Sequence, residues 1–412
     1  MCKIPKQSVV LPFVQRRIPL LRELPVEITA LALIAFSVSL GFGIVIPVIP
    51  TFAREFGVSA IAATSVVSVF AGMRLLASPV AAKLVDRIGE RRVLTWGLAI
   101  VSVSSFLSAF SQNFVQLIIA RGIGGVGSTM YTLASMALLL KVVDINERGR
   151  ASSAWTGGFL IGGLTGPALG GFVAAISIRA PFFVYGLTLI LAGFISWKTL
   201  QHASLQSKTV DEFQVTRSLP MALKLREYRA TVAVNFSNGF IRFGMLTALT
   251  PLFAIEALKS STTIASWGFL ASAVGQVIFL SWSGREVDST GRKPILLGSS
   301  ALTVAGLLLL SFTETVPIFL LAMFIVGVSG ALASASSPAV LGDVTGGAPR
   351  GPVVATYQMS SDLGAIIGPL FGGLMLDISK GFHTPFLAVA GMAFVVFLMV
   401  LRIPETLNKV AL

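Results

Sequence analysis

Long apolar segments alternate with short polar ones along nearly the whole chain. Each long segment has roughly the twenty residues that a helix needs to cross a bilayer. Because lipid offers the backbone no hydrogen-bond partners, each segment is expected to be helical. The pattern predicts an all-α integral membrane protein with twelve spans at residues 28–50, 58–81, 93–111, 114–140, 151–175, 181–198, 230–255, 263–283, 294–312, 316–341, 352–376 and 384–402.

The longest polar stretch within this pattern, residues 199–229, predicts a cytoplasmic linker between two six-helix bundles. The bundles are predicted at residues 28–198 and 230–402, with tails at 1–27 and 403–412. The first apolar segment is too long for the core of a signal peptide. It is therefore expected to remain in the protein as span 1.

A sequence repeat divides the chain at the same place. Asp86 recurs as Asp288 and Gly166 recurs as Gly368, and the members of both pairs are 202 residues apart. A constant separation means that few insertions distinguish the two copies, so the chain is expected to be a duplicated unit of about 200 residues. Duplication in an apolar chain is typical of membrane transporters.

Composition and charge agree with a lipid environment. Of the 412 residues, 54% are hydrophobic and only 12% are charged, whereas soluble domains carry about a quarter charged residues. With the N-terminus inside, the loops predicted to lie outside carry few cations. They are Arg54, Arg179, Lys259 and Lys380.

This distribution predicts a multi-pass protein of the plasma (inner) membrane with both termini in the cytoplasm. The net charge of +13 is then explained by topology and anionic lipid, and no nucleic-acid partner is expected. A single cysteine and two histidines favour no metal site and no cofactor.

The segment between spans 2 and 3, residues 82–92 with the sequence AKLVDRIGERR, resembles the GxLaDRxGRR signature of the major facilitator superfamily. Its first glycine is replaced here by Ala82. The second copy, residues 284–293, keeps that glycine. The alternative is that these charges only fix topology. The resemblance implies a cytoplasmic gate at Asp86, Arg87, Gly89, Arg91, Arg92, Asp288, Gly291 and Arg292.

Two further motifs extend the resemblance over nearly the whole chain. Arg121 in span 4 lies in a stretch similar to the family's span-4 signature, whose arginine is associated with proton coupling. Span 5 matches GxxxGPxxGG, a pattern of the family's drug/proton antiporter branch. Glycines allow close helix approach, and proline permits a kink. The expected hinge and packing residues are Gly162, Gly166, Pro167, Gly170, Gly171, Gly368, Pro369, Gly372 and Gly373.

Four ionisable residues fall deep within spans, namely Arg74, Arg121, Arg242 and Asp362. Helical rise places three of them about 18–20 Å from the cytoplasmic side. Ionisable side chains at such depth are costly and usually functional. We expect Asp362, Arg121 and Arg74 to serve proton coupling, with Asp362 pairing with Arg74 or Arg242 in one conformation. The alternative is a permanent structural ion pair for Asp362 and a structural bond to backbone carbonyls for Arg121.

Polar residues near this depth are candidates for the substrate cavity. They are Arg242 and Asn235 and Asn238 of span 7, and Gln358 of span 11. The alternative is that they only join helices. Span 1 lacks the acid that many drug–proton antiporters carry, and the cations favour an anionic or amphipathic substrate.

The sequence therefore predicts two pseudo-symmetric six-helix bundles that work by alternating access, with lipid, protons and a small organic compound as partners. Proton-coupled efflux by a monomer is the favoured function. Proton-coupled uptake of a small, possibly anionic solute is the alternative. A non-transporting receptor is disfavoured because it has no need for the Gly-Pro spans, and no nucleophile–base pair indicates an enzyme.

Overall fold

The computed structural model describes residues 25–143, 148–200, 219–344 and 352–407. Within these ranges twelve helical spans are long and apolar enough to cross a membrane, as predicted. Two short helices, Ile49–Arg54 and Leu219–Lys224, lie between spans. The spans are Val26–Val45, Ala60–Ile88, Glu90–Ala109, Phe114–Val142, Arg148–Ile176, Ala180–Leu200, Arg226–Ala257, Thr262–Ser289, Arg292–Ser311, Val316–Val344, Pro352–Ser379 and His383–Leu401.

Span 1 is shorter than its apolar segment. The helix ends at Val45, and a short turn that contains Pro47 leads into the helix Ile49–Arg54. Proline has no backbone N–H and cannot continue a helical ladder. Pro50 lies at the first turn of the new helix, where a missing N–H costs nothing.

The predicted ends of spans 2 and 8, at residues 81 and 283, were wrong, because both helices continue further. Span 2 stays helical to Ile88 and span 8 to Ser289. The breaks centre on Gly89 and Gly291, whose φ angles are 86° and 127°. Other residues are strained at such angles, so glycine allows the sharp turn.

The chain forms two compact units. Residues 1–45 and 72–211 make the first unit, and residues 46–71 and 212–412 make the second. The predicted bundle boundaries stay predictions, and residues 1–24 and 201–218, which hold most of the predicted N-terminal tail and linker, lie outside the described residues.

The helix pairings repeat between the units. In the first unit span 1 packs on spans 5 and 6, and span 3 packs on spans 4 and 6. In the second unit span 7 packs on spans 11 and 12, and span 9 packs on spans 10 and 12. The same pairs are thus formed by spans six positions later, as a duplicated architecture requires.

The beginning of span 2 is fastened within the second unit. Both carboxylate oxygens of Asp377, on span 11, accept backbone N–H groups at 2.9 Å, from Ala60 and from Ile61. Arg54 pairs with Glu256 at 3.1 Å, again between residues of that unit. Asp377 therefore caps the otherwise unsatisfied first turn of span 2.

The apolar core of the second unit surrounds Phe253 in span 7. Its ring lies 5.8 Å from that of Phe319, 5.4 Å from Phe382 and 5.5 Å from Phe386. Such tilted and edge-on contacts favour fixed geometry. This aromatic cluster holds span 7 against spans 10 and 12.

Span 7 is not a regular α-helix. Its segments Gly239–Leu246 and Phe253–Ala257 are π-helical. The first contains Arg242, whose carbonyl accepts the Thr247 hydroxyl at 2.9 Å. Short π-helical turns are frequent at functional sites, and Arg242 lies in the middle of this one.

Candidate functional site

A cavity of about 210 Å³ lies in the second unit between spans 7, 10 and 11. Asn235, Asn238 and Gln358, all predicted as cavity residues, line it together with Tyr357 and Ser337. Asn235 is buried and its Nδ2 donates to the Tyr357 carbonyl at 2.7 Å. The structure therefore brings three of the predicted residues to one surface.

Tyr357 forms part of this cavity through both its backbone and its side chain. Its hydroxyl lies 2.9 Å from the Ser337 hydroxyl on span 10. Asn235 and Tyr357 thus tie span 7 to span 11 and span 11 to span 10, and they hold the cavity wall in place. Asn238 and Gln358 have the amide groups that suit hydrogen bonding to a polar solute.

A second, much smaller cavity of about 20 Å³ shares part of its wall with the first. Asn238 lines both cavities and Arg242 lines the small one. Hydroxyl groups on spans 9 and 10 complete its wall, among them Ser299, Thr303 and Ser329. A polar space of this size holds about one water molecule.

The guanidinium of Arg242 is held by neutral groups. Its Nη1 donates to the Val326 carbonyl at 2.9 Å, and its Nη2 donates to Gln276 Oε1 at 3.0 Å. A Cβ atom at Gly330 would collide with this guanidinium. The absence of a side chain at Gly330 is therefore what leaves room for the charge between spans 7, 8 and 10.

The first unit contains two further guanidinium groups within its spans. Arg74 on span 2 donates to the Ser128 hydroxyl on span 4, and its carbonyl accepts the Thr129 hydroxyl at 2.8 Å. Arg121 is only 1% exposed and lies close to Tyr185 of span 6. Arg74 thus cross-links spans 2 and 4, whereas Arg121 lies inside the bundle.

Asp362 is exposed on span 11 in the described chain. The hydrogen bonds of Arg242 go to Val326 and Gln276, and the pairing of Asp362 with Arg74 or Arg242 stays a prediction. The coupling roles of Asp362, Arg121 and Arg74 also stay predictions.

The predicted glycines pack helices together within each unit. In the first unit a Cβ at Gly166 would come within 2.6 Å of the Leu40 carbonyl, and one at Gly170 within 2.5 Å of the Ile44 carbonyl. Gly162 makes a similar close approach, and the Pro167 ring lies against Gly43. Span 5 therefore lies backbone to backbone on span 1.

The second unit repeats this close packing between spans 11 and 7. A Cβ at Gly368 would collide with the Phe240 carbonyl, and one at Gly372 with the Leu249 side chain. The ring of Pro369 faces Gly244, and Gly373 lies against the start of span 2. Gly171 is buried in span 5. A hinge role for these residues stays a prediction.

The predicted gate residues of the first unit lie around the turn at Gly89. Asp86, Arg87 and Arg92 are exposed, and Arg91 is half-buried. Next to them Glu90 is buried and forms an ion pair with Lys141 at the end of span 4. Their role as a gate stays a prediction.

In the second unit the corresponding turn is part of a connected polar cluster. Arg292 pairs with Asp288 at 3.4 Å and with Asp343 of span 10 at 3.1 Å. The Glu405 carboxylate, after span 12, accepts the backbone N–H groups of Arg292 at 2.9 Å and Lys293 at 3.1 Å. The cluster joins spans 8, 9, 10 and 12 at the end predicted to be cytoplasmic.

Glu405 has a perturbed acidity because of these contacts. Partial burial acts to raise its pKa, but hydrogen bonds from the backbone N–H groups of Leu407, Arg292, Lys293 and Thr406 lower it, and the net pKa lies below the ordinary value. The carboxylate is therefore stabilised in its charged form by the start of span 9, where the helix dipole also favours an anion.

Comparison with known proteins identifies the family. Residues 31–256 and 231–411 match the family described as Major Facilitator Superfamily, and together they cover most of the chain. The chain belongs to the Major Facilitator Superfamily. As a superfamily member with twelve candidate spans in its described residues, it is a multi-pass membrane protein. Family and fold point to a transporter rather than an enzyme.

Curated relatives and solved structures give more specific comparisons within the superfamily. Multidrug resistance protein 1 of Bacillus subtilis (strain 168) is 27% identical over 371 residues, which cover 88% of this chain and 93% of that protein. Quinolone resistance protein NorA of Staphylococcus aureus (strain COL) is 25% identical over 350 residues, which cover 83% of this chain and 88% of that protein.

A bacterial homologue of the human lysosomal transporter Spinster, solved in an inward-facing and occupied conformation, has a TM-score of 0.71 with this chain. The two are 14% identical, and the match covers 91% of this chain and 95% of the other. At this identity the likeness shows a shared fold and nothing about substrate.

Sequence reasoning missed several residues of these superfamily sites. Tyr357, Gln276 and Gly330 carry no charge and belong to no family motif that we recognised. The repeat gives a signal for two of them, because Gln276 lies 202 residues after Arg74 and Gly330 lies 202 residues after Ser128. Asp343 was missed as well, although Arg292 and Asp343 lie 202 residues after Glu90 and Lys141, which form the same ion pair with the charges exchanged.

Proposed function

We propose that this protein is a secondary active transporter that works by alternating access and exports a small organic or amphipathic compound in exchange for protons. The observation that carries the proposal is the polar cavity in the second unit, where Asn235, Asn238 and Gln358 meet inside a superfamily fold. The relatives named for multidrug and quinolone resistance support export.

Proton coupling rests on the ionisable groups within the spans. Asp362 is an acid in span 11, and Arg242 and Arg74 provide cations at similar predicted depth. A carboxylate that moves between a cationic and an apolar environment changes its proton affinity. Opening and closing of the cavity then links proton movement to movement of the compound.

The remaining assignments follow from this mechanism and from the charge distribution. The proton is the coupling ion, and no cofactor is required. The protein acts as a monomer in the plasma membrane, with both termini in the cytoplasm because cytoplasmic loops carry the excess of Lys and Arg. Its partners are the bilayer, the proton and a small solute, and not nucleic acid.

The proposal is tested with purified protein in proteoliposomes under an imposed pH gradient. Proton exchange predicts that the compound accumulates when the lumen is acidic, whereas co-transport predicts accumulation when the outside is acidic. A panel of cationic, neutral and anionic compounds is assayed, because the cavity does not fix the charge by itself.

Protein-free liposomes are the control, since weak bases accumulate passively in an acidic lumen. Gradient-dependent accumulation above that control supports the proposal, and the sign of the effective gradient separates export from uptake. Transport that ignores the pH gradient for every compound would rule out proton coupling, and no protein-dependent transport of any compound would contradict the proposal.

A further inference from the structure

The two units place a guanidinium group at the same position of the repeat, but they supply it from different helices. In the first unit Arg74 of span 2 donates to the hydroxyl of Ser128 on span 4. The residues 202 positions later are Gln276 and Gly330, so the second unit lacks both the cation and the hydroxyl. There the guanidinium comes from Arg242 of span 7.

The guanidinium of Arg242 fits between spans 8 and 10 because the second unit has Gln276 in place of the arginine and Gly330 in place of the serine. Gln276 Oε1 accepts one of its N–H groups at 3.0 Å, whereas an arginine at 276 would repel it. Gly330 leaves the space that the guanidinium fills, since any Cβ there would collide with it. Gln276 therefore supplies an acceptor for the Arg242 guanidinium and Gly330 supplies the space for it. Both residues suit a cation that comes from span 7 in place of the one that span 2 provides in the first unit.

Repeat architecture alone does not explain Arg242. In span 7 the helix contacts align at offsets of 200 and 201 residues, which place Phe42 and Gly41 opposite Arg242, and neither carries a charge. A guanidinium inside a helix bundle is costly to desolvate. A single buried guanidinium is readily explained as a cross-link between helices. Both units have a guanidinium at this place, from Arg74 of span 2 in one and from Arg242 of span 7 in the other, and this indicates that the positive charge itself is needed.

The surroundings of Arg242 favour the binding of an anionic ligand. Its two hydrogen bonds go to neutral oxygens and use only part of the donors of a guanidinium. Among the described residues, neither the small cavity beside it nor the larger cavity is lined by Asp or Glu. Asn238 lines both cavities, and the smaller one holds about one water molecule.

We propose that Arg242 is the anion-recognition point of the second unit and binds the carboxylate of the transported compound. The compound lies in the larger cavity, its carboxylate meets Asn238, and one water in the small cavity bridges the carboxylate to the guanidinium. Guanidinium groups suit carboxylates in charge and shape, and a bridging water preserves most of the interaction. This inference rests on the proposed transport function.

The test is equilibrium dialysis of two matched probes against the protein in nanodiscs. Dansyl-glycine carries a carboxylate, and dansyl-glycinamide differs only in having a neutral amide. The wild-type protein is expected to bind the acid about tenfold more tightly than the amide, as a charge-assisted contact implies. Arg242→Gln is expected to remove this preference and leave the affinity for the amide unchanged. Empty nanodiscs correct for partition into lipid.

A relocation variant separates recognition from a structural role. The triple substitution Arg242→Leu, Gln276→Arg and Gly330→Ser places the residues of the first unit at 276 and 330 and supplies the guanidinium from span 8, with an apolar residue at 242. It is expected to restore the preference for the acid, although every contact of residue 242 is lost. Arg402→Gln, which removes an exposed cation after span 12, controls for net charge and is expected to keep the preference.

Equal affinities of the wild-type protein for the two probes, or no binding of the acid, would overturn the proposal. A preference that survives in Arg242→Gln would do the same, as would its absence from a folded relocation variant. If Arg242→Gln does not fold, the proposal is still tested by the affinities of the wild-type protein for the two probes and by the relocation variant. If the protein prefers the acid probe but shows no gradient-driven transport, the anion site stands and the proposed transport function is contradicted. If it transports but shows no preference for the acid probe, only the anion site is contradicted.

Discussion

Asp362 combines a position within span 11 with an exposed side chain in the described chain. Under the proposed mechanism it takes up and releases the coupled proton. We predict that Asp362→Asn, which cannot ionise, loses accumulation driven by a pH gradient in proteoliposomes but still exchanges compound across the membrane when no gradient is imposed.

Glu314→Gln is the matched control for this substitution, because Glu314 is an exposed acid that lies in the turn between spans 9 and 10. It is expected to transport like the wild-type protein. Full gradient-driven accumulation by Asp362→Asn would show that another group carries the proton.

Glu405 gives a pH-dependent contribution to stability. Its folded pKa is lowered, so its contribution is present above the unfolded value, about 4.3, and is lost as the pH falls through the lower folded value. We predict that Glu405→Gln melts at a lower temperature than the wild-type protein at pH 7. The gap should narrow as the pH falls below about 4.3.

Melting curves of the detergent-purified proteins across this range check the prediction. Glu314→Gln, whose carboxylate lies elsewhere, should show no such narrowing. A melting difference between Glu405→Gln and wild type that stays constant with pH would mean that the hydrogen bonds to Arg292 and Lys293 do not depend on the charge of Glu405.

At the scale of helices, the contact of span 5 with span 1 depends on backbone proximity. A Cβ at Gly162 would come within 2.7 Å of the Leu40 amide nitrogen, and backbone cannot move aside cheaply. We predict that Gly162→Ala lowers the free energy of unfolding by about 1–3 kcal/mol, as measured by loss of thermal stability.

Gly157→Ala is the control within the same span, because a Cβ at Gly157 meets nothing within 4 Å. Replacing an unhindered helical glycine by alanine is expected to be neutral or stabilising. Equal effects of the two substitutions would show that span 5 does not need close approach to span 1.

The π-helical segments of span 7 explain why the spacing of the repeat is not uniform. Gly162 faces the Phe36 carbonyl, and Gly364, 202 residues later, faces the carbonyl of Phe236, only 200 residues after Phe36. Gly43 faces the Pro167 ring and Gly244 faces the Pro369 ring, and these glycines are 201 residues apart although the prolines are 202 apart. The first π-helical segment is therefore consistent with one extra residue in span 7.

For the whole molecule, the repeated pairing of helices and the charge distribution predict one topology. In a Cys2→Ser background, cysteines at Lys83 and at Gln112, both exposed, should react with impermeant reagents from opposite sides of the membrane. Lys83→Cys should be accessible only from the cytoplasm, together with tags at both termini.

Labelling of both positions from the same side would contradict the helix count between them, since span 3 alone separates these residues. Termini found on opposite sides would contradict an even number of crossings. The exposed Arg402, mutated to cysteine, serves as an internal control for the cytoplasmic end of span 12.

Much of the fold could be predicted because hydropathy is a local property. Twelve spans, the turns at Gly89 and Gly291 and the glycine-rich packing faces follow from residues that lie close together in the chain. The length of spans 2 and 8 was underestimated because their last turns are polar, and helices continue beyond the apolar region when hydrogen bonding allows it.

Hydropathy and motif spacing were enough to predict the helical class, the duplication and the distribution of charge, since each is visible in short stretches of sequence. The packing of the helices determines which groups meet. Arg242 with Gln276 and Gly330, Tyr357 with Asn235, and Glu405 with the start of span 9 are joined by packing between distant segments. Such pairs depend on the register and direction of neighbouring helices, which no single stretch of sequence encodes.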